Sequence, residues 1–406
     1  MERVREVGED LNAVTSLTEA RARRLGSDSR SSSPWSHCSR RLEGVSLAVK
    51  DVIDVAGSVT TMGSQVHDPN PASQTASVVE ALEVSGAMTV AKTNCQEYSY
   101  GILGDESAFG RTLNPRDRRR ITGGSSSGSA ALVAAGAVDL AVGTDTAGST
   151  RVPAAYCEVL GFKPTLGMVA TDGIFPLAPS FDTVGLFSSS FEVMRYALQT
   201  LLRQETSNAQ DRHITSQSPL RIDVQLFDEA AAPLQTVDSA LRFAPDTATG
   251  PKATWLRSLF DRARELFPII RDYEAAEIHR DNLVTSEERY QPGVRAKLRT
   301  GSEVDVSAYQ QAQHDLEILR QDALAVWDDL DFLIIPSVAG PELRWSDLPS
   351  ANAAEDSVRY TQPISTLGWP AITVPFGQGV YSSVQIVAKP ETDLDLLEFA
   401  DNFFAR

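Results

Sequence analysis

Two short turns rich in glycine and serine lie close together in this chain, and a single lysine stands upstream of them. The first is Thr122-Gly123-Gly124-Ser125-Ser126-Ser127-Gly128-Ser129; the second is Gly143-Thr144-Asp145-Thr146-Ala147-Gly148-Ser149-Thr150-Arg151. An apolar segment, Ala130 to Val142, separates them, and the lysine, Lys50, ends the apolar run Val45-Ser46-Leu47-Ala48-Val49. A serine attacks as a nucleophile only when a base takes its proton, and the commonest base is histidine. The chain has five histidines (His37, His67, His213, His279, His314), none of them in a glycine-rich turn. That leaves room for a serine–lysine variant of serine-hydrolase chemistry.

Such chemistry has physical requirements. The turn Thr146-Ala147-Gly148-Ser149 offers consecutive backbone N–H groups beside small side chains, so several donors can point at one developing oxyanion. Losing one such donor costs about 2.7–4 kcal/mol of barrier. Lys50 must be neutral to act as a base; an exposed lysine titrates near ~10.4, and burial lowers that by several units. The apolar run before Lys50 would supply the burial. Asp145 and Arg151 flank the nucleophile turn and are expected to hold it by ion pairing or hydrogen bonds rather than to touch substrate. Asp51 either orients Lys50 or begins the next turn.

Competing readings of the same residues are weaker. A lone glycine–serine run is usually a flexible linker, but an apolar segment follows this one at once. The phosphate-cradling patterns G-x-x-x-x-G-K-[S/T] and G-x-G-x-x-G are absent, as is H-E-x-x-H. Gly124-Ser125-Ser126-Ser127-Gly128 formally matches G-x-S-x-G, which would make Ser126 an elbow nucleophile; an elbow needs a buried strand before it, and Arg118-Arg119-Arg120 occupies that place.

The lysine and the two turns resemble the amidase signature family. There a lysine ends a buried strand, as Lys50 does. A first serine sits in a Gly-Gly-Ser-Ser-Gly-Gly-Ser-like turn, matched by Ser125. The nucleophile sits in a Gly-Thr-Asp-X-Gly-Gly-Ser-X-Arg turn, matched by Ser149, 24 residues later. The likeness continues in Lys92-Thr93-Asn94 with Glu97, Val152-Pro153-Ala154-Ala155, Gly161-Phe162-Lys163-Pro164-Thr165, Ser180-Phe181-Asp182-Thr183-Val184-Gly185 and Leu367 to Pro375. It implies a nucleophile at Ser149, a proton relay at Ser125 behind Gly124 in an unusual cis peptide, and a base at Lys50. It also implies an acyl-enzyme that water hydrolyses, an oxyanion hole at Thr146, Ala147, Gly148 and Ser149, and neither metal nor cofactor.

Two departures bear on the subfamily: Ser127 and Ala147 each replace a usual glycine. The Ala-Gly-Ser form is similar to allophanate hydrolases, and Ser-Ser-Ser-Gly-Ser with Tyr156-Cys157 is similar to plant indole-3-acetamide hydrolases. The leading expectation is therefore hydrolysis of the C–N bond of a small amide, an aryl-acetamide among the candidates. The alternatives are a carbamate or urea derivative, and the A-type component of a tRNA-dependent amidotransferase. Tyr98, Tyr100 and Phe181 are candidates to line the acyl pocket. Tyr290 with Arg289, or Arg295, would clamp an anionic substrate.

Composition narrows the partners. The chain has 406 residues, 42% of them hydrophobic and 22% charged, with a formal net charge of −17, as an ordinary globular protein would. The acidity argues against nucleic acid, which needs clustered cations; the one basic cluster, Arg116 with Arg118-Arg119-Arg120, reads mainly as a solvated loop. Three cysteines (Cys38, Cys95, Cys157) form no even set and no C-x-x-C spacing, as expected of reduced thiols in the cytoplasm. No signal peptide or membrane span is expected. The expected partner is a small-molecule amide, with a homodimer left open.

The elements that must position these residues read as an α/β alternation. Helices are expected over Glu2–Leu25, Thr75–Gly86 with Thr75 as N-cap, Ser127–Ala137, Phe187–Leu202, Ala253–Glu288 with a kink or break at Pro268, and Gln310–Leu330. Strands are expected over Val45–Val49, Ala87–Ala91, Val138–Val142 and Phe332–Ile335. Ser27–Ser36, Glu205–Pro219 and Ala244–Pro251 read as loops. The resemblance sharpens this to the amidase-signature fold, a large mixed β-sheet core covered by helices on both faces. Residues 1–406 are expected to form one domain, with a catalytic core at 41–187 and 331–390. Residues 190–330 are expected to be a helical insertion that shapes the substrate side.

Overall fold

A computed structural model describes residues 1–28, 40–203, 220–221, 246–247, 250–328, 330–340, 342–348, 352–376 and 383–404. Its strands are β1 (Val14–Leu17), β2 (Ser46–Lys50), β3 (Met88–Thr93), β4 (Leu140–Asp145), β5 (Leu160–Lys163), β6 (Thr183–Ser188), β7 (Leu220–Arg221), β8 (Asp246–Thr247), β9 (Phe332–Pro336), β10 (Ala371–Pro375) and β11 (Ser383–Ala388). They form one sheet in the order β1-β3-β2-β4-β6-β5-β10-β11-β9-β7-β8. β2 runs parallel to β3 and β4, whereas β4, β6, β5, β10, β11 and β9 alternate antiparallel. The sheet is mixed, as expected.

The central strands are buried on both faces, and their side chains divide with the period of two that a pleat imposes. Leu47 and Val49 of β2, Leu140 and Val142 of β4, and Ile334 of β9 enter one core cluster, which also holds Val78 and Leu82 of helix α3 (Ser77–Val84). Ala48 and Ala141 turn to the opposite face, against Ala130 and Ala131 of helix α4 (Ser127–Ala134). Small residues on both sides let α4 lie close to the sheet. That closeness brings the serine turn at its start toward the carboxyl ends of β2 and β4.

Several expectations need correction. Glu2–Leu25 is not one helix. It divides into α1 (Glu2–Asp10), strand β1 and α2 (Glu19–Asp28), with Asn12 in the left-handed region at φ 51° and β1 paired to the edge of β3. Thr75 does not cap α3. Ala76 holds that place, and the Thr75 hydroxyl accepts from the Ala56 N–H and from Arg21. Phe187 and Ser188 close strand β6, so helix α6 begins only at Phe191 and runs to Arg203, with α5 (Arg151–Cys157) lying between β4 and β5. Helix α7 runs unbroken from Gly250 to Ser286 with Pro268 inside it. Helix α8 spans Pro292–Ser302; α9 spans Val306–Ala323 and ends in a 3₁₀ turn rather than reaching Leu330. β8 and the start of α7 fall within the segment expected to be a loop at Ala244–Pro251; most of Ser27–Ser36, and Glu205–Pro219, lie outside the described residues.

Candidate active site

Lys50 closes β2, where the parallel neighbours β3 and β4 bury it completely. Its Nζ lies 2.6 Å from Ser125 Oγ and 2.7 Å from Thr144 Oγ1. Burial pulls its pKa down to about 8, although Cys95, Asp182 and Asp145 lean the other way. A neutral amine in this position accepts the Ser125 proton along the same 2.6 Å line. The Gly124–Ser125 peptide is cis.

The neighbouring serines of the turn are all buried and engaged elsewhere. Ser126 Oγ donates to the Thr144 carbonyl at 3.3 Å, Ser127 Oγ meets Thr112 at 3.1 Å, and Ser129 Oγ meets Thr93 at 2.8 Å. Ser126 is fully enclosed, so an elbow nucleophile there has no access to substrate.

Ser149 follows the end of β4 in the turn that precedes α5. Together with Thr146 and Ala147 it lines a cavity of about 610 Å³. Among the described residues, the N–H groups of Ala147, Gly148 and Ser149 donate to no protein acceptor. Unpaired donors at the wall of a cavity are what an oxyanion would need. Gly148 has φ +140°, and a Cβ there would sit 2.2 Å from Thr361 Oγ1, whose hydroxyl donates to the Ala147 carbonyl at 2.7 Å. The backbone path of this turn is therefore open to glycine alone.

Asp145 and Arg151 form a fully buried, two-point ion pair, with Nη2–Oδ1 2.9 Å and Nε–Oδ2 3.0 Å. Burial works against the Asp145 charge, but Arg151, Lys163 and the Thr150 N–H hold its carboxyl below the ordinary range. Arg151 also donates to the Thr361 carbonyl at 2.9 Å, to Gln385 Oε1 at 3.1 Å and to Ser365 Oγ at 2.6 Å. The pair thus ties the Ser149 turn to the short helix at Gln362–Thr366 and to β11. Asp51 faces Lys92 at 2.7 Å and accepts from Thr15 and Thr61; among the described residues its carboxylate makes no hydrogen bond or ion pair with Lys50.

Two residues beside the turn carried no assigned role in the sequence. Thr144, one step before Asp145 on β4, is the second partner of Lys50. Asp182 accepts from Thr146 Oγ1 at 2.6 Å and from the N–H groups of Leu177 and Ala178 at 2.8 and 3.0 Å, and burial lifts its pKa to about 6. Its place in the Ser180–Gly185 motif was the available signal. Most of the residues expected to bind substrate lie apart from the cavity wall. Tyr98 and Tyr290 pack with His279 and Phe175, and Tyr290 OH lies 2.9 Å from His279 Nδ1. Phe181 is fully buried against Phe267, and Arg295 is half-buried on α8 without reaching the wall. Tyr100, also among the expected residues, does line the cavity, with Phe267, Arg271 and Lys297. The basic cluster is spent on carboxylates, Arg116 on Glu158 at 3.2 Å and Arg119 on Asp117 at 2.8 Å.

Among the described residues there is no group of three side chains able to hold a metal, and no helix long and apolar enough to cross a membrane.

A sheet of this order, with a buried lysine reaching a serine turn beside a second serine turn, defines an α/β hydrolytic scaffold. The family model described as Amidase matches residues 1–397. The chain is 31% identical to the A-type component of the glutamyl-tRNA(Gln) amidotransferase of Symbiobacterium thermophilum, over 88% of its own length and 82% of that protein's. It is 29% identical to AtzE, a component of the 1-carboxybiuret hydrolase of Pseudomonas sp. strain ADP, over 86% and 81%. A solved structure described as an amidase superposes with a TM-score of 0.84 at 28% identity, over 100% of this chain and 94% of that one. The chain belongs to the amidase signature family, as a hydrolase acting on carbon–nitrogen bonds.

Proposed function

We propose that this protein hydrolyses the C–N bond of a small amide through an acyl-enzyme on Ser149, with Ser125 as relay and Lys50 as base. The observation that carries the reading is the buried 2.6 Å contact between Lys50 Nζ and Ser125 Oγ, in a chain whose second serine turn opens onto a cavity of about 610 Å³. Neutral Lys50 takes the Ser125 proton as Ser125 takes that of Ser149, and Ser149 Oγ bonds to the substrate carbonyl carbon. The oxyanion forms against the free N–H groups of the turn. Proton return along the same path protonates the leaving nitrogen as the C–N bond breaks. Water then attacks the ester, its proton travels the same way, and the acid leaves with Ser149 restored.

A carbamate or urea derivative is the second reading. It is favoured by Ala147 in the turn and by the likeness to a protein named for 1-carboxybiuret. The amidotransferase reading is favoured by the likeness to the glutamyl-tRNA(Gln) enzyme's A-type component and would require further protein partners. Treating the purified chain with a fluorophosphonate should place one adduct on Ser149, and Ser149→Ala should lose both the adduct and ammonia release from a panel of amides, carbamates and ureas. An adduct that persists in Ser149→Ala, or maps to Ser125 or Ser126, overturns the assignment.

A further inference from the structure

The charge on the cavity wall is lopsided. Four cationic side chains line it, Arg264, Arg271, Arg359 and Lys297, against a single carboxylate, Glu355. Each arginine already has an acid: Arg264 meets Asp261 at 2.7 Å, Arg271 meets Asp272 at 2.6 Å, and Arg359 meets Asp356 at 2.6 Å. Lys297 is different. Its ammonium donates to the Tyr100 carbonyl at 2.9 Å, and among the described residues no carboxylate comes within ion-pair distance of it. It is half-buried on α8, so it gives up part of its hydration while Glu106, Asp105 and Asp272 act on it only from beyond ion-pair distance.

A second cation shares the same stretch of wall. Lys297 Nζ lies 5.3 Å from the centre of the Tyr100 ring, and the Arg271 guanidinium lies 5.4 Å from the same ring. Tyr100 OH donates to Asp272 Oδ1 at 2.5 Å, so that carboxylate oxygen is shared between the phenol and Arg271. Burial first, and then Arg271, push the Lys297 pKa down, although Glu106, Asp105 and Asp272 act in the other direction. An ammonium on a half-buried wall beside a guanidinium, with its carboxylates beyond ion-pair distance, gains from an anion that comes into direct contact with it. The remainder of the wall includes Ile102, Leu177, Phe267 and Val358, which suit an uncharged carbon skeleton.

We infer that Lys297, supported by Arg271 and the Tyr100 ring, binds a carboxylate of the substrate, which is then an amide carrying an anionic group away from its scissile bond. This names the substrate class of the Ser149 site and rests on the reading of Ser149 as nucleophile. A neutral aryl-acetamide would leave Lys297 unpaired in the complex. Both the monoamide of a dicarboxylic acid and an N-carboxylated urea carry the required group.

The test uses a neutral alkyl fluorophosphonate to label Ser149 and asks which molecules slow the labelling. Glutaramate and glutarate are compared with pentanamide, their uncharged counterpart, and allophanate forms a further arm to tell the urea-derived source from the dicarboxylic one. The carboxylates should protect at concentrations roughly tenfold or more below pentanamide. Lys297→Met should abolish that difference, and Lys297→Arg should restore most of it. Labelling of Lys297→Met by the probe alone reports that the variant is folded with a reactive Ser149. Equal protection by pentanamide, or carboxylate protection that survives Lys297→Met, overturns the inference while leaving the nucleophile intact. Failure of the unprotected wild-type chain to label at Ser149 overturns the nucleophile reading and the inference with it.

Discussion

The pH dependence of acylation tests the role of Lys50 most directly. With its pKa drawn to about 8 by burial, Lys50 is neutral in about a tenth of molecules at pH 7 and in about nine-tenths at pH 9. A lysine at the ordinary value of 10.5 would be neutral in only about three molecules per ten thousand at pH 7. Burial therefore raises the supply of usable base about 300-fold, equivalent to about 3 kcal/mol. In the proposed mechanism the active form is the neutral one, so the rate is expected to fall as pH drops through about 8. Below about pH 7.5 it should change almost tenfold per unit, and above about pH 9 it should level off. Between pH 6.5 and pH 9 the expected rise is about 30-fold. Burial pushes the Cys95 thiol up to about 12 and the Asp182 carboxyl up to about 6, and it draws Lys163, which acts on Asp145, down to about 7, so the Lys50→Met profile is what separates the Lys50 step from that of Lys163. The assay is the second-order rate of Ser149 labelling by a fluorophosphonate between pH 6 and pH 10, repeated on Lys50→Met, which should be slower by orders of magnitude and lack the step near pH 8. A flat wild-type profile, a step near 10.5, or an unchanged profile in Lys50→Met would refute the reasoning.

Two further predictions concern the support of the nucleophile turn. Arg151→Met strands the fully buried Asp145 carboxylate without its partner, and should lower stability by about 3–5 kcal/mol in urea denaturation at pH 7; a loss under about 1 kcal/mol would mean the pair carries no such burden. Gly148→Ala puts a methyl group 2.2 Å from Thr361 Oγ1 at φ +140° and should displace the free N–H groups, slowing Ser149 labelling about a hundredfold or more. Wild-type labelling in that variant would remove the turn from the oxyanion role.

Some of this was legible in the sequence, and the reasons differ from residue to residue. Lys50 could be placed because Leu47, Ala48 and Val49 make a continuous apolar run, the signature of a strand covered on both faces. The serine turns could be placed because glycine spacing and a following alanine-rich segment are local properties. The break at Asn12 was hidden, since β1 exists only through its pairing with β3, 74 to 79 residues away in the chain. Helix α7 passes through Pro268 because its residues pack on both core clusters, and tertiary burial outweighs the local defect. The cavity wall was the least legible part. Arg271 and Lys297 lie on helices whose pattern shows which face is apolar, but not which polar residue at the edge of that face meets the site. Arg295, two positions from Lys297, has the same charge and a different direction.

The Asp145–Arg151 pair has a consequence for when the site comes into being. Arg151 reaches partners 210, 214 and 234 residues further along the chain, at Thr361, Ser365 and Gln385. Synthesis proceeds from the N-terminus at about 5–20 residues per second, so Ser149 emerges well before the groups that lock its turn. Contacts of such long separation are made late, after the entropy of loop closure has been overcome. In the interval Arg151 has Asp145 but lacks these three acceptors, and the Thr361 hydroxyl does not yet brace Ala147. The Ser149 turn is thereby fastened by residues that emerge long after it, and under the proposed mechanism catalytic competence arrives with them rather than with the segment that carries the serine.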